Sequence, residues 1–256
     1  MYPQQLPNPL LLQMEQDPEI NRLLSTVCHE IRNPVSVIMG IACILRNTGL
    51  TEKQEDLLCK MERASSSLLS IADEVLDFSS LKAGNLVLRP SLFSLKELTD
   101  DLEGLLAPSI TQAGLEWRCV RSFPAGIVFR QDRVKLFQLL LNLLRNAYKY
   151  TLRGSIALEA GVLEQPGAPP MLRFAVRDTG IGIPEENLPE IFEEFRQVDH
   201  PLNMTQRGSG LGLPLCRRIA EAMGGRITVS SQPGQGSCFE VILPTIPHLS
   251  ARDCQA

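Results

Sequence analysis

The 256-residue chain is 44% hydrophobic, enough to bury a sizeable core in one or two domains. Its formal net charge of −4 lacks the basic excess of a nucleic-acid binder. Seven scattered cysteines without a C-x-x-C pair read as reduced thiols of a cytoplasmic protein, no stretch is expected to approach the ~18 apolar residues of a membrane span, and the start MYPQQLPNPLLLQMEQ lacks the basic region and cleavage site of a signal peptide.

After that N-terminal stretch, Leu24, Val27, Ile31, Val35, Ile38, Ala42 and Leu45 recur at steps of three and four, the spacing of a helical seam. Asn47-Thr48-Gly49 breaks the pattern, and Thr51 caps a second helix with Leu57, Met61, Ala64, Leu68, Ile71, Val75 and Phe78 on its seam. Ala83-Gly84-Asn85 ends it. Such a hairpin buries its stripe poorly alone, so a second copy is expected to complete a four-helix bundle. His29 lies off the seam, on a polar stripe with Asn33 and Ser36 that faces water. Pro34 cannot donate to the Glu30 carbonyl, so a bend is expected just beyond the histidine.

Beyond Leu86 the periodicity changes. Leu92–Leu106 reads as a helix, Leu115–Val120 and Ile127–Phe129 as strands, and Asp132–Tyr150 as a long amphipathic helix. Strands Ser155–Leu163 and Leu172–Asp178 follow, around a turn at Gln165–Pro170; then come a helix Leu211–Met223 and a hairpin of Arg226–Ser231 with Ser237–Leu243 around Pro233-Gly234. The expected fold class is α+β: a helical hairpin followed by an α/β sandwich.

Three polar constellations stand out in the second half. Asn142, Asn146 and Lys149 share one helix face; a bound ligand and plain solvation explain them about equally well. In RDTGIGIP, Asp178 ends a strand and runs into Gly180 and Gly182, where the backbone can approach a flat ligand. In RGSGLGL, Gly208, Gly210 and Gly212 precede a helix and suit phosphate on backbone N–H groups, although each glycine cluster alone could be a turn. Neither is a dinucleotide fingerprint or a Walker loop.

Taken in order, H-E-I-R-N-P, N-L-L-R-N-A-Y-K-Y-T, D-T-G-I-G-I-P, I-F-E-E-F and G-S-G-L-G-L resemble the H, N, first-glycine, F and second-glycine boxes of sensor histidine kinases. The resemblance runs from Leu23 to Pro244, and TGLTEKQEDLL and LDFSSLKAGNLVL look like the hybrid members. It implies a tail or linker over 1–19, a dimerisation and histidine phosphoacceptor domain over 20–84, an ATP-binding domain of the gyrase/histidine kinase/MutL type over 85–245, and a tail over 246–256. By resemblance His29 accepts the γ-phosphoryl group of ATP, Glu30 takes the ring proton from the other nitrogen, and Asn33 helps phosphatase action. Asp178 accepts from the adenine amino group with Gly180 and Gly182 alongside; Asn146 offers its oxygen to Mg²⁺; Asn142 and Lys149 lie along the phosphates. Gly208, Gly210, Leu211 and Gly212 close a lid that runs from Glu185 to Arg207, with Phe192 and Phe195 packing it and Arg207 reaching the γ-phosphate. The implied partners are a second copy of the chain and the receiver-domain aspartate of a response regulator, with no nucleic acid and no direct membrane contact. The implied place is the cytoplasm, whether or not the chain belongs to a larger anchored sensor. Pro214, where the family usually has alanine, leaves a rival: a degenerate kinase that acts as a non-catalytic dimerisation partner. Arg130-Gln131, also unusual, suggests no consequence.

Overall fold

The computed structural model describes residues 18–82, 87–124, 126–164, 169–196, 209–245 and 247–249. The chain parts into two units between Leu86 and Val87.

The first unit is a pair of long helices, α1 (Pro18–Arg46) and α2 (Glu52–Lys82). The turn closes as the Asn47 and Thr48 amides and the Thr48 hydroxyl reach back to the last carbonyls of α1, and Gly49 takes a φ of 74° that a side chain would resist. Thr51 and Gln54 then form a reciprocal cap: Gln54 N donates to Thr51 Oγ1 at 3.4 Å, and Thr51 N donates to Gln54 Oε1 at 2.9 Å. An Arg46–Glu62 ion pair at 2.6 Å joins the two helices near this end.

The expected seam divides. Cys28, Val35 and Ala42 are buried on α1, as are Leu58, Ser65 and Ala72 on α2, each set repeating every seven residues. Val27, Ile38 and Leu45 on α1, and Leu57 and Leu68 on α2, stay 40–55% exposed. A bundle helix has two apolar neighbours, and within one chain only the hairpin partner is present. The side chains of Leu24 and Phe78 lie outside the described residues. The helix continues unbroken through Pro34, which sits on its exposed side. One expectation is overturned. Thr26–Arg46 is long and apolar enough to cross a membrane by length and composition, with mean hydropathy 1.2, because its outward Val37, Ile41 and Ile44 add to the seam residues.

The second unit is a two-layer sandwich, built from β1 (Ser91–Ser94), α3 (Leu95–Gln112), β2 (Glu116–Ser122), β3 (Ile127–Gln131), α4 (Arg133–Tyr150), β4 (Ser155–Leu163), β5 (Met171–Asp178), α5 (Gly212–Ala222), β6 (Arg226–Gln232), β7 (Gly236–Pro244) and β8 (Pro247–Leu249). The main sheet has the order β2-β4-β5-β7-β6, with β2 parallel to β4 and every other pair antiparallel. Alternation decides its faces. Ile156, Leu158 and Ala160 on β4, Leu172, Phe174 and Val176 on β5, and Phe239, Val241 and Leu243 on β7 are buried. The helices that cover them bring Leu98, Leu102 and Leu106, Leu139, Leu140 and Leu143, and Leu215 and Ile219. The other face carries an ion-pair ladder, Glu159–Arg177, Glu159–Arg173 and Arg173–Glu240 at 2.6–3.3 Å, which holds Glu159 below the usual carboxylate range against the opposing effect of its partial burial.

Two strands escaped sequence reading. The helix expected from Leu92 starts only at Leu95, capped by the Ser94 hydroxyl, and Ser91–Ser94 instead pairs with β3. Pro247–Leu249 was read as tail and pairs with the other edge of β3. The expected stop at Leu106 is also too early: α3 carries Pro108 inside it and runs to Gln112.

Candidate functional site: a histidine on α1 and a glycine-framed loop on the sandwich

In the first unit, His29 is exposed, as are its neighbours Glu30 and Asn33. The only hydrogen-bond contact described for its ring is Arg32 Nη1, 3.5 Å from Nδ1. A histidine of this kind presents a free ring nitrogen to solvent, beside a carboxylate.

In the second unit, three segments carry the residues singled out in the sequence, and the loop after β5 is fastened to the end of α4. Asp132 caps this helix, and its apolar face of Leu136, Leu139, Leu140, Leu143, Leu144 and Ala147 is buried, so Asn142, Asn146 and Lys149 are held on a half-buried stripe. Lys149 Nζ lies 4.8 Å from the centre of the Tyr150 ring. The Asn142 Nδ2 donor is buried without a partner; among the described residues only the Thr245 hydroxyl shares that condition. An orphan amide donor on a helix face costs about 1–3 kcal/mol unless something outside the chain accepts from it.

The second segment is the loop after β5. Asp178 Oδ1 accepts two backbone N–H groups, from Gly180 at 2.8 Å and Ser237 at 3.3 Å, while no bond is described for Oδ2. Burial pushes this carboxyl above its ordinary value, and the two N–H groups pull the other way. The glycines are required by close approach. A Cβ on Gly180 would stand 2.3 Å from the Tyr150 carbonyl oxygen, and one on Gly182, where φ is 70°, would stand 2.0 Å from that of Gln232. Three hydrogen bonds lock the loop between the end of α4 and the β6–β7 turn: Ile181 N to Tyr150 O, Ile183 N to Ser231 Oγ and Gly234 N to Ile181 O, at 2.7–3.2 Å. Tyr150, Ser231 and Ser237 gave no signal in the sequence, because two act through main-chain atoms and Ser231 through a bond across 48 residues.

The third segment precedes α5. Gly210, with φ of 74°, lies against Phe195, whose amide donates to the Gly210 carbonyl at 3.1 Å. Leu211 is buried, and its amide donates to Ser209 Oγ at 3.0 Å, so that one N–H of the expected cradle is engaged within the chain. A Cβ on Gly212 would meet no described atom within 4 Å. Phe192 packs edge-on against Phe239, with ring centres 6.4 Å apart. Phe195 is 67% exposed, and its backbone holds the turn at a φ of 61°. Arg207, Gly208 and the rest of 197–208 lie outside the described residues. Helix α5 begins at Gly212, with Leu211 as its cap and Pro214 in its first turn, one residue later than the family pattern suggests. Its first bond, Leu215 N to Leu211 O, spans the proline, so Pro214 removes no helical hydrogen bond.

A family profile described as the His Kinase A (phospho-acceptor) domain matches residues 19–84, and one described as Histidine kinase-, DNA gyrase B-, and HSP90-like ATPase matches residues 131–247. The chain is a histidine kinase catalytic core. It is 37% identical over 223 residues to the sensor protein GacS of Pseudomonas syringae pv. syringae, and 36% identical over 221 residues to the signal transduction histidine-protein kinase BarA of Escherichia coli K12. These alignments take in 87% and 86% of the chain but only 25% and 24% of those proteins. Among solved structures, full-length ShkA in complex with AMPPNP matches 90% of this chain and 47% of its own, at 31% identity and a TM-score of 0.70. The kinase ThkA in complex with the response regulator protein TrrA matches 93% of this chain and 67% of its own, at 25% identity and a TM-score of 0.58.

Proposed function

We propose that the chain autophosphorylates His29 from Mg²⁺–ATP held on the second unit, then passes the phosphoryl group to a receiver-domain aspartate of a response regulator. The observation that carries this reading is Asp178: two backbone amides occupy Oδ1, and Oδ2 stays open as an acceptor for an adenine amino group. The orphan Nδ2 of Asn142 fits a phosphate oxygen, and Lys149 supplies positive charge on the same stripe. Asn146 would hold Mg²⁺ through its side-chain oxygen, and the ion would neutralise phosphate charge. At His29 one ring nitrogen forms the N–P bond as the bond to the ADP oxygen breaks, and Glu30 takes the proton from the other nitrogen. Asn33, one turn along the same face, would orient the water that hydrolyses the receiver's aspartyl phosphate to aspartate and phosphate, the phosphatase reaction. Arg207 and Gly208 keep the roles that the family resemblance gives them. The one departure that favoured a non-catalytic partner, Pro214, costs α5 no bond.

The exposed apolar residues Val27, Ile38, Leu45, Leu57 and Leu68 are proposed to meet a second copy in a four-helix bundle rather than lipid, since His29, Glu30 and Arg32 stand within the same apolar helix. Leu68→Glu would then place a charge at the bundle centre at a cost of several kcal/mol. Sedimentation should show monomers; a dimer like that of the parent would refute the bundle.

Two changes at the start of α5 separate fold from binding. Gly212→Ala fits open space at a helical position and should hold or raise stability by up to about 1 kcal/mol. The same methyl stands where phosphate would approach the backbone, so calorimetry should show weaker ATP binding; unchanged affinity places the phosphates elsewhere. Pro214→Ala adds one N–H to the first turn and should tighten ATP binding or speed labelling. Equal affinity and rate would show that this N–H faces away from the nucleotide.

A further inference from the structure

Gln131 and Asp132 are 8% and 4% exposed and take no part in the nucleotide site described above. Asp132 Oδ1 caps α4 by accepting from Lys135 N at 3.0 Å. Its other oxygen, Oδ2, accepts from the backbone N–H of Arg89 at 2.7 Å. Arg89 belongs to residues 87–90, the stretch that follows the unit boundary and leads into β1. Beside it, Gln131 Oε1 accepts from Asp132 N at 3.1 Å, and Gln131 Nε2 donates to the carbonyls of Pro244 at 3.1 Å and Met223 at 3.5 Å. The incoming stretch, the end of β7 and the end of α5 are therefore all fastened to Gln131 and Asp132, the two residues that lead into α4. The backbone repeats the pattern: β1 and β8 are the two neighbours of β3, and β3 ends at Gln131.

Resting on the nucleotide-site reading, we propose that Asp132 and Gln131 are positioning residues that make the setting of α4 follow the stretch 87–90. A helix cap needs one side-chain oxygen, and serine supplies it. Among the described residues the second carboxylate oxygen serves only the distant Arg89 amide. Asn146 lies about 20 Å along the axis from the first turn, at 1.5 Å per residue. A tilt of about 3° there moves Asn146 by about 1 Å, and a misplacement of that size can cost about a hundredfold in rate.

The test uses the whole chain and the variant Asp132→Ser, which keeps a cap for Lys135 but cannot reach Arg89. Amide hydrogen exchange should quicken at 87–90 while α4 stays protected. ATP affinity should stay within about twofold, whereas the labelling rate at saturating ATP should fall about tenfold or more, because orientation rather than binding is lost. Gln131→Glu keeps the Oε1 acceptor and loses the donor to Met223 and Pro244; it should show the same fall in rate at unchanged affinity. Equal exchange at Arg89 in parent and variant, or equal rates despite faster exchange, would overturn the inference. So would a parallel loss of α4 protection and ATP affinity, which marks a cap and nothing more. If the parent itself does not bind ATP, the functional reading fails and the inference with it; ATP binding in the parent with equal rates in both variants sinks the inference alone.

Discussion

Replacing His29 with glutamine should abolish transfer of label from γ-labelled ATP while leaving the fold intact. The ring is exposed and its one described contact is a 3.5 Å approach from the half-buried Arg32, so the substitution should change stability by no more than about 0.5 kcal/mol. Glutamine keeps a polar side chain of similar reach but has no nitrogen lone pair able to attack phosphorus. Because the ATP contacts are proposed to lie in the other unit, nucleotide affinity should not move. Labelling should drop to background at every ATP concentration, a loss in turnover without a change in binding. Label that survives in this variant would remove His29 from the mechanism.

Asp178→Asn should strike the opposite term. If the amide oxygen keeps the two N–H groups of Gly180 and Ser237, its NH₂ group then faces the adenine amine, donor against donor. Losing a charge-assisted bond costs about 1.5–3 kcal/mol, roughly tenfold to 150-fold in ATP affinity. The pH dependence follows from the same carboxyl. Burial raises its pKa above the ordinary 3.8, so the ionised acceptor is lost as pH falls through a value higher than that of an exposed aspartate. The folded protein therefore holds this proton more tightly than the unfolded chain, and stability falls as pH rises through the window between the unfolded and folded values. At neutral pH the charge is a burden on the fold, kept for binding. The asparagine variant should accordingly melt no lower than the parent while it binds ATP more weakly. Unchanged affinity by calorimetry would show that the adenine lies elsewhere.

How much of this was legible in the sequence depended on how local the cause is. The helical hairpin could be read because its turn and capping residues, Gly49, Thr51 and Gln54, act within four positions. The long helix from Asp132 and the strand Ser155–Leu163 were read with matching bounds, since both bury one face of a strict period. Strands β1 and β8 were missed because three or four residues carry no period; partners 34 to 122 residues away make them strands. The stop expected at Leu106 came too early: a proline usually ends a helix, yet here packing of Leu102, Leu106 and Ile110 carries α3 past Pro108. At the site, Asp178 and the glycines announced themselves by residue type. What fixes them did not, since it resides in the carbonyls of Tyr150 and Gln232 and the amide of Ser237. Gln131 was judged inconsequential for the same reason: its three bonds go to main-chain atoms, two of them about 90 and 110 residues further on.

The most direct measurement of the central claim is to incubate the whole parent chain with γ-labelled Mg²⁺–ATP, digest it and locate the label. The account predicts a single labelled peptide containing His29-Glu30-Ile31-Arg32-Asn33-Pro34, whose label is lost in acid, kept in base, and dependent on Mg²⁺. An unlabelled chain that nevertheless binds ATP, or acid-stable label on any other residue, would contradict it.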